Sequence, residues 1–419
     1  MPAVNVILNF NKTARFAFNV LVGALEAHVK DDKLNIIPAR DKQALQEKLE
    51  QAGDTLTLVL WSFYSPQFSK IKKHLYSLKR QFKNPKVIHL AGGVHASAEP
   101  LQTLQAGFDY VAVGEGEQII VDAVRALLAD ESITHVKGIA WLNNGDLLKN
   151  RRGELVDLND YPPFAPTHKL FGPIEITRGC IYACKFCQTP YISKARFRHR
   201  SIENIINYAS IMRARGFRDY RFITPTSFSY GSPNAEVNLD AIEELLAKMR
   251  ETIGKERRLF YGTFPSEIRP EHISRKALRM LKKYVDNDNL IIGGQSGSQA
   301  LLDSSKRGHT VEAVTEAVKL CIEEGFLPNV DFLYGLPGET KVDVQQTIKY
   351  AEFLTMHGAR IHNHTFLPLP GTPFQNAAAG TIDKSTQKII VKMESIGKAY
   401  GGWKNQLKKA KELVDLRNK

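Results

Sequence analysis

The strongest constraint on the fold is a repeated alternation of short apolar runs with longer amphipathic stretches. In residues 1–130, five runs have the length and composition of buried strands, and stretches with helical apolar periodicity separate them. Strands that alternate with helices in this way form a parallel sheet with helices on both faces. The sequence therefore predicts an α/β domain with a doubly wound parallel sheet. Its predicted strands are Val4–Asn9, Leu34–Pro38, Thr55–Trp61, Lys86–Ala91 and Tyr110–Val113.

Residues 131–170 have no long helical pattern. The runs Val136–Leu142 and Leu147–Leu148 flank an Asn-Asn-Gly-Asp turn at 143–146, which indicates a small hairpin. The proline-rich segment 162–166 then reads as an extended linker. We place the domain boundary in this linker.

The alternation resumes with longer helices in residues 171–375. Five amphipathic stretches, near residues 202–214, 239–252, 271–283, 311–324 and 341–356, lie between six candidate strands. This pattern fits a partial (β/α)6 barrel, in which functional residues gather at the carboxyl ends of the strands. Residues 376–419 form a helical and basic extension. The predicted barrel strands are Ile174–Thr177, Tyr220–Thr224, Leu259–Thr263, Leu290–Gly293, Val330–Tyr334 and Ile361–Phe366.

Three of the four cysteines, Cys180, Cys184 and Cys187, form a C-x3-C-x2-C run directly after the first predicted barrel strand. Iron–sulfur cubanes are normally held by four cysteines, so three thiolates would leave one iron with an open position. A structural zinc site needs four ligands, usually in paired knuckles, and no His or Cys pair with that spacing is nearby. A disulfide is disfavoured because Cys321 is far away in the sequence. The run therefore indicates an iron–sulfur site.

This run and its surroundings resemble the radical S-adenosylmethionine (SAM) superfamily. The strand-like Pro173–Thr177, the Arg178-Gly179 step and the aromatic Phe186 between the last two cysteines fit that pattern. The resemblance implies a 4Fe-4S cluster on Cys180, Cys184 and Cys187, with SAM bound at the open iron. Further segments that resemble the superfamily are Gly294–Ser298, Lys306–Thr310, Asp331–Thr340 and Leu369–Pro373. The SAM contacts that follow from the resemblance are Phe186, Thr224, Ser296, Arg307 and Gly335.

One segment departs from the superfamily. Where many members carry a Gly-Gly-Glu-like run, this chain has the hydroxyl-rich stretch Thr224–Gly231, so the contact to the SAM amino group is reassigned to Thr224. The resemblance implies reductive cleavage of SAM to methionine and a 5′-deoxyadenosyl radical. That chemistry calls for an electron donor of the flavodoxin or ferredoxin type. No side chain is assigned a catalytic role beyond cofactor binding.

Residues 1–130 resemble the cobalamin-binding domain of B12-dependent radical SAM proteins. Glycines at the carboxyl ends of strands allow close approach of a bulky or phosphorylated ligand. The D-x-H-x-x-G signature, whose histidine binds cobalt in many B12 enzymes, is absent. We therefore expect cobalamin without a histidine ligand, and we interpret His95 as a loop or tail contact. The predicted cobalamin contacts are Ser62, Gly92, Gly93, His95, Gly114 and Gly116.

These resemblances imply a cobalamin-dependent methyltransferase that acts on an unactivated carbon. Related enzymes perform other radical reactions, and two alternatives stay open. A methylthiotransferase would carry a second cluster on three amino-terminal cysteines, but no cysteine precedes Cys180. A cluster- or cobalamin-carrying protein without turnover is the other alternative.

The formal net charge of +13 points to an acidic partner or to solvated helix faces. Lysines concentrate near the carboxyl end, at Lys404, Lys408, Lys409 and Lys411. We expect a macromolecular substrate, with protein favoured over nucleic acid. No apolar run has the length of a membrane span, and no signal-peptide pattern is found, so a cytoplasmic protein without a membrane partner is expected.

Overall fold

The computed structural model describes residues 3–10 and 12–418. The predicted segments 1–130 and 376–419 include residues 1, 2, 11 and 419, which lie outside the described residues. The chain divides into two compact units, Met1–Gly172 and Pro173–Lys419.

The first unit is built on a seven-stranded sheet with the order β2-β1-β3-β4-β5-β6-β7. Strands β1 to β5 are parallel, and β6 and β7 add antiparallel to the β5 edge. The doubly wound sheet expected from the sequence is confirmed. The strands are β1 (Val4–Asn9), β2 (Leu34–Ala39), β3 (Leu56–Ser62), β4 (Val87–Gly92), β5 (Tyr110–Ala112), β6 (Ile139–Asn143) and β7 (Asp146–Lys149).

The hairpin at β6 and β7 belongs to this first unit. The sequence pattern predicts a separate hairpin and linker over residues 131–170. In the structure, Val111 pairs with Ala140, and the unit extends to Gly172. The turn that joins β6 to β7 is short, and antiparallel pairing of these two strands needs no crossover helix, so a pattern of alternating strands and helices does not extend to them.

Six helices surround the sheet, and two of them supply much of the core. Phe18, Val22 and Leu25 on α1 pack with Ile120 and Val124 on α6 in one cluster of buried apolar side chains. All six residues of β1 are buried, as expected for a central strand covered on both faces. The helices are α1 (Arg15–His28), α2 (Lys42–Ala52), α3 (Phe68–Gln81), α4 (Val94–Ala98), α5 (Pro100–Gln105) and α6 (Gly116–Leu128).

The second unit is a partial barrel, which confirms the predicted fold class. Regular pairing is short in its first half, and backbone hydrogen bonds connect the strands there. Ile176 N–H donates to Ile223 O at 3.0 Å, and Ile291 N–H donates to Gly262 O at 2.9 Å. A four-stranded parallel sheet, β14-β15-β16-β17, forms the second half. The strands are β8 (Ile174–Glu175), β9 (Thr177–Arg178), β10 (Arg198–His199), β11 (Asp219–Tyr220), β12 (Phe222–Ile223), β13 (Arg258–Leu259), β14 (Asn289–Gln295), β15 (Leu327–Tyr334), β16 (Arg360–Thr365) and β17 (Ala399–Tyr400).

The principal barrel helices begin at residues whose side chains accept a hydrogen bond from the first turn. Such caps satisfy amide groups that have no partner within the helix. They are Ser201, Asn238, Ser274, Thr310 and Thr340. The helices of this unit are α7 (Thr189–Ile192), α8 (Ile202–Ala214), α9 (Leu239–Ile253), α10 (Arg275–Tyr284), α11 (Gln299–Ser304), α12 (Val311–Glu323), α13 (Lys341–Met356), α14 (Lys384–Ser395) and α15 (Trp403–Arg417).

Over residues 3–10 and 12–418, no helix combines the length and the apolar composition that crossing a bilayer requires.

Candidate active site

The cysteine loop starts at Gly179, directly after β9. This glycine has φ +86, and a Cβ placed there would lie 2.0 Å from the carbonyl oxygen of Arg196. Only glycine fits this close approach with a positive φ. The loop is then fixed at both ends, because Cys180 N–H donates to Ser193 Oγ at 3.3 Å and Lys185 N–H donates to Ser305 O at 3.0 Å.

The three loop thiols lie close together in a shielded environment. Cys184 is buried, and Cys180 and Cys187 are partly buried. Burial raises the pKa of Cys180 to about 12, with Cys187 and Cys184 adding to the effect, and burial also raises the pKa of Cys187. Thiols in such a place need a cationic centre to ionise, since metal binding favours the thiolate. Three soft donors in one loop fit an iron–sulfur cluster.

Arg307 brings a positive charge to this loop. Its Nη1 lies 3.7 Å from Cys184 Sγ, and its Nη2 donates to Gly293 O at 2.8 Å. Its pKa is raised, because Glu267 and the Cys184 thiol outweigh the opposing effect of burial. Arg269 Nη2 in turn donates to the carbonyl oxygen of Arg307 at 2.6 Å. The second unit thus keeps a buried guanidinium beside the predicted cluster.

Phe186 contributes to an apolar patch near the cysteine loop. Its ring packs with Leu301, Leu336 and Phe366. Leu336 follows Gly335, which has φ +78 and whose Cβ, if present, would lie 2.5 Å from Thr381 N. An apolar surface of this kind suits a flat heteroaromatic ring. The predicted SAM contacts Phe186 and Gly335 are therefore neighbours in the fold, and their role in binding stays a prediction.

The hydroxyl groups of Thr224 and Ser296 already have partners inside the unit. Thr224 Oγ1 donates to Thr226 O at 3.0 Å. Ser296 Oγ accepts from Ser298 N–H at 3.1 Å and lies 3.2 Å from Thr347 Oγ1 of α13. Both residues are buried. These hydroxyls stabilise local structure, and their assignment to SAM stays a prediction.

A group of ionisable residues on the inner face of the barrel was missed from the sequence. Glu267, Asp331 and His364 are close enough to influence one another, and burial raises the pKa of Glu267. On β15 and β16, Asp331, His362 and His364 alternate with residues that are more deeply buried, such as Val330, Phe332 and Ile361. The i, i+2 spacing of His362 and His364 was the signal that could have revealed this group.

In the first unit, the predicted cobalamin residues lie where β3, β4 and β5 end. Ser62 ends β3, and Gly92 ends β4. Gly93 has φ +91, and a Cβ there would lie 3.1 Å from both Phe63 O and Ser62 Oγ. Gly114 has φ +112, and a Cβ there would lie 2.6 Å from Arg152 Nε. The backbone itself therefore requires glycine at 93 and 114, so these two positions alone are not evidence of a ligand.

Gly92 and Gly116 differ from each other in the space around them. A Cβ at Gly92 would meet only ordinary contacts, the closest being Ala112 Cβ at 3.8 Å. A Cβ at Gly116 would lie 2.8 Å from Leu21 Cδ2. A side chain at position 116 would thus require Leu21 to shift, and Gly92 has no such requirement within the described residues.

His95 lies inside the first unit and is enclosed by aromatic side chains. Its ring centroid is 4.3 Å from that of Phe68, and its Nδ1 is 3.1 Å from Ser65 Oγ. Burial lowers the pKa of His95 to about 4, so the ring is neutral near pH 7. Its Nε2 has no hydrogen-bond partner in the part of the chain that the structure describes. A contact with a ligand would have to use this nitrogen.

Comparison with known proteins places the barrel in a family. Residues 174–351 match the radical SAM superfamily. This segment contains the cysteine loop and most of the barrel, so the second unit carries a radical SAM domain. The fold of the chain over both units is that of the cobalamin-dependent radical SAM proteins, as the resemblance in sequence predicted.

Two solved structures support the assignment of the fold. The radical SAM methyltransferase TsrM from Kitasatospora setae, with cobalamin and a [4Fe-4S] cluster bound, matches with a TM-score of 0.69 and 17% identity. That match covers 90% of this chain and 75% of TsrM. The cobalamin-dependent radical enzyme OxsB with aqua-cobalamin bound matches with a TM-score of 0.64 and 15% identity, over 84% of this chain and 52% of OxsB.

Curated relatives in sequence carry other names. A putative methylthiotransferase of Methanocaldococcus jannaschii is 25% identical over 331 residues, which is 77% of this chain and 69% of that protein. A tRNA-2-methylthio-N(6)-dimethylallyladenosine synthase of Finegoldia magna is 31% identical over 179 residues, or 42% of this chain. An uncharacterized methyltransferase of Pyrococcus horikoshii is 25% identical over 305 residues. The chain spans only 37% and 62% of the lengths of these last two proteins.

Proposed function

We propose that this protein is a cobalamin-dependent radical SAM methyltransferase. The observation that carries the proposal is a cysteine loop with three thiols on a barrel that follows a doubly wound sheet, in a chain whose fold matches TsrM and OxsB, both of which bind cobalamin. Cys180, Cys184 and Cys187 would hold a 4Fe-4S cluster, and SAM would occupy the side of the barrel near Phe186 and Gly335. The bound cofactors would supply the radical and the methyl group.

The chain's own residues would bind, orient and shield these cofactors. The Arg307 guanidinium lies beside Cys184 and favours negative charge on the cysteine loop. The apolar patch at Phe186, Leu336 and Phe366 excludes water from one side of the predicted SAM site. Exclusion of water protects reactive intermediates from side reactions. These are binding and positioning roles.

A methylthiotransferase is the enzymatic alternative, because two of the relatives described above carry that kind of name. The sequence contains no cysteine before Cys180 that could hold a second cluster. This observation supports methyl transfer over methylthio transfer.

The substrate is proposed to be a macromolecule. Lys404, Lys408 and Lys411 are exposed on α15, while Trp403 and Ala410 of the same helix are buried. A basic face of this kind attracts an acidic partner. The name of one relative refers to tRNA, so it does not support the expected preference for a protein substrate over a nucleic acid.

The proposed function is tested by SAM cleavage after anaerobic reconstitution with iron and sulfide. We expect wild-type protein with a strong reductant to release 5′-deoxyadenosine, and Cys184→Ala to release none. Cys321→Ala is the matched control, because Cys321 is a buried thiol on α12 outside the loop. Absence of 5′-deoxyadenosine from reconstituted wild-type protein, or equal release from Cys184→Ala, would contradict the proposal.

A further inference from the structure

Three metal-ligating side chains meet on the inner face of the barrel, away from the cysteine loop in sequence. Asp331 lies on β15, and the parallel register places it opposite His362 on β16. His364 follows two residues later and shares the same face of the strand. The sheet therefore brings one carboxylate and two imidazoles together.

The atoms of this group form a small triangle. Asp331 Oδ1 lies 2.9 Å from His362 Nδ1, His362 Nδ1 lies 3.1 Å from His364 Nε2, and His364 Nε2 lies 3.8 Å from Asp331 Oδ1. A point equidistant from these three atoms is about 1.9 Å from each. An ion slightly above that plane would reach the roughly 2.0–2.2 Å that nitrogen and carboxylate ligands keep from zinc. We propose that Asp331, His362 and His364 bind a divalent transition-metal ion.

Protons alone cannot satisfy this triangle. Thr365 N–H donates to Gln406 Oε1 at 2.9 Å, so the amide nitrogen of Gln406 faces His364 Nδ1 at 3.2 Å. In the metal-free state of a neutral ring, that contact places a lone pair on His364 Nδ1 and the proton of the ring on Nε2. If this proton is donated to His362 Nδ1, the carboxylate of Asp331 faces a nitrogen lone pair at 2.9 Å. A cation at the centre relieves this conflict once the His364 proton has moved to Nδ1, because all three groups can then direct a lone pair at the cation.

Metal binding would change the contact with Gln406. A metal on Nε2 of His364 moves the imidazole proton to Nδ1, which then needs an acceptor. The Gln406 amide would have to turn its oxygen toward His364 and give up the hydrogen bond that it accepts from Thr365 N–H. A glutamate at position 406 would supply the acceptor directly, and such outer-shell partners change metal affinity by about 10–100-fold.

The ligand set defines the class of metal. Two imidazoles and one carboxylate without a thiolate suit first-row divalent ions such as Zn²⁺, Mn²⁺ or Fe²⁺. Three protein ligands leave coordination positions open, which is the pattern of a site that binds exchangeable ligands. The side chains are 13% exposed for Asp331 and 26% exposed for each histidine, so the open positions are accessible. His362 is held by stacking on Tyr400, with ring centroids 4.4 Å apart.

This site is tested with Mn²⁺ and the full chain before iron reconstitution. Mn²⁺ prefers oxygen and nitrogen ligands over thiolates, and electron paramagnetic resonance measures its free concentration. We expect about one bound ion per chain, and at least a roughly tenfold loss of affinity in His362→Ala, His364→Ala and Asp331→Asn. His357→Ala is the matched control, because His357 is an exposed histidine at the end of α13 and should bind as wild type does.

Asp331→Asn keeps the size of the side chain, and thermal melting shows whether each variant is folded.

Gln406→Glu should bind Mn²⁺ about tenfold more tightly than wild type. Absence of saturable Mn²⁺ binding by wild-type protein would overturn the proposal. The proposal would also be overturned if folded His362→Ala and His364→Ala bound Mn²⁺ with the same affinity as wild type. Neither result depends on SAM cleavage, so this proposal and the proposed function fail separately.

Discussion

Arg307 and Cys184 are joined by a contact of 3.7 Å between the guanidinium Nη1 and the thiol Sγ. Both residues are buried, and they are far apart in sequence. The contact links the loop after α11 to the cysteine loop after β9. A fixed positive charge beside a cluster ligand is one of the means by which a protein sets a reduction potential.

Replacing Arg307 should therefore change the electronic properties of the cluster. We expect Arg307→Gln to shift the reduction potential to a more negative value by about 60–130 mV. A hydrogen bond to a charged group contributes about 1.5–3 kcal/mol. For a one-electron reduction, about 1.4 kcal/mol corresponds to a shift of about 59 mV in the reduction potential. Spectroscopic redox titration of reconstituted protein measures the shift. Arg307→Lys, which keeps the charge, should shift it less, and an unchanged potential in Arg307→Gln would refute this role.

Gly92 offers the cleanest test of the predicted cobalamin surface. Gly93 and Gly114 have positive φ and close neighbours, so their substitution would strain the backbone whether or not a ligand binds. Gly92→Val adds bulk at the end of β4 where only ordinary contacts exist. We expect it to weaken binding of hydroxocobalamin by about tenfold or more, since forced overlap costs about 1–3 kcal/mol.

Gly153→Val is the control for that measurement. No atom lies within 4 Å of a Cβ built at Gly153, and its backbone has no positive φ. The control should bind cobalamin as wild type does, and both variants should keep the wild-type melting temperature. Equal cobalamin affinity in Gly92→Val and wild type would remove Gly92 from the binding surface.

Glu339 should make the stability of the barrel unit depend on pH. Burial raises the pKa of Glu339 to about 7, and Asp343 and Asp383 add to the effect. The folded state therefore holds a proton that the unfolded state, with a pKa near 4.5, has released. The stability that this proton contributes is complete below about pH 4.5 and is lost as pH rises through about 7. For this single group, the free energy of unfolding changes with pH by at most about 1.4 kcal/mol per pH unit.

Glu339→Gln removes this titration and keeps an oxygen that can accept from Gly335 N–H, a bond of 2.7 Å in the structure. Urea unfolding of both proteins between pH 5 and pH 8 tests the effect. We expect the stability of the variant relative to wild type to increase with pH over this range. A constant difference across the range would show that Glu339 ionises normally.

The sequence predicted the features that depend on local pattern. Two such patterns involve residues that are near one another in sequence, and both led to the right fold class. They are the spacing of Cys180, Cys184 and Cys187 and the alternation of strands and helices. The three-dimensional partners of a side chain are set by distant segments. The sequence predicts Ser296 as a SAM contact, which stays a prediction, but it gave no sign that the hydroxyl accepts from Ser298 N–H and lies beside Thr347 of a later helix.

Contacts on the inner face of the barrel are also set by segments that are distant in sequence, so the sequence alone does not predict them. Asp331 and His364 belong to different strands, and only the register of β15 against β16 brings them together. From the sequence alone, a glycine that a ligand requires cannot be distinguished from a glycine that the backbone conformation requires. Gly93 and Gly114 are predicted cobalamin contacts, and that stays a prediction; their positive φ accounts for glycine at both positions with or without a ligand.

The central claim is that this chain couples SAM cleavage to cobalamin-dependent methyl transfer. The most direct test is a single-turnover reaction of the reconstituted protein with SAM and a strong reductant, with and without hydroxocobalamin. We predict 5′-deoxyadenosine in both reactions, and S-adenosylhomocysteine only when cobalamin is present, because release of a methyl group from SAM leaves that product. Formation of S-adenosylhomocysteine in equal amount without cobalamin, or its absence from both reactions, would contradict the account.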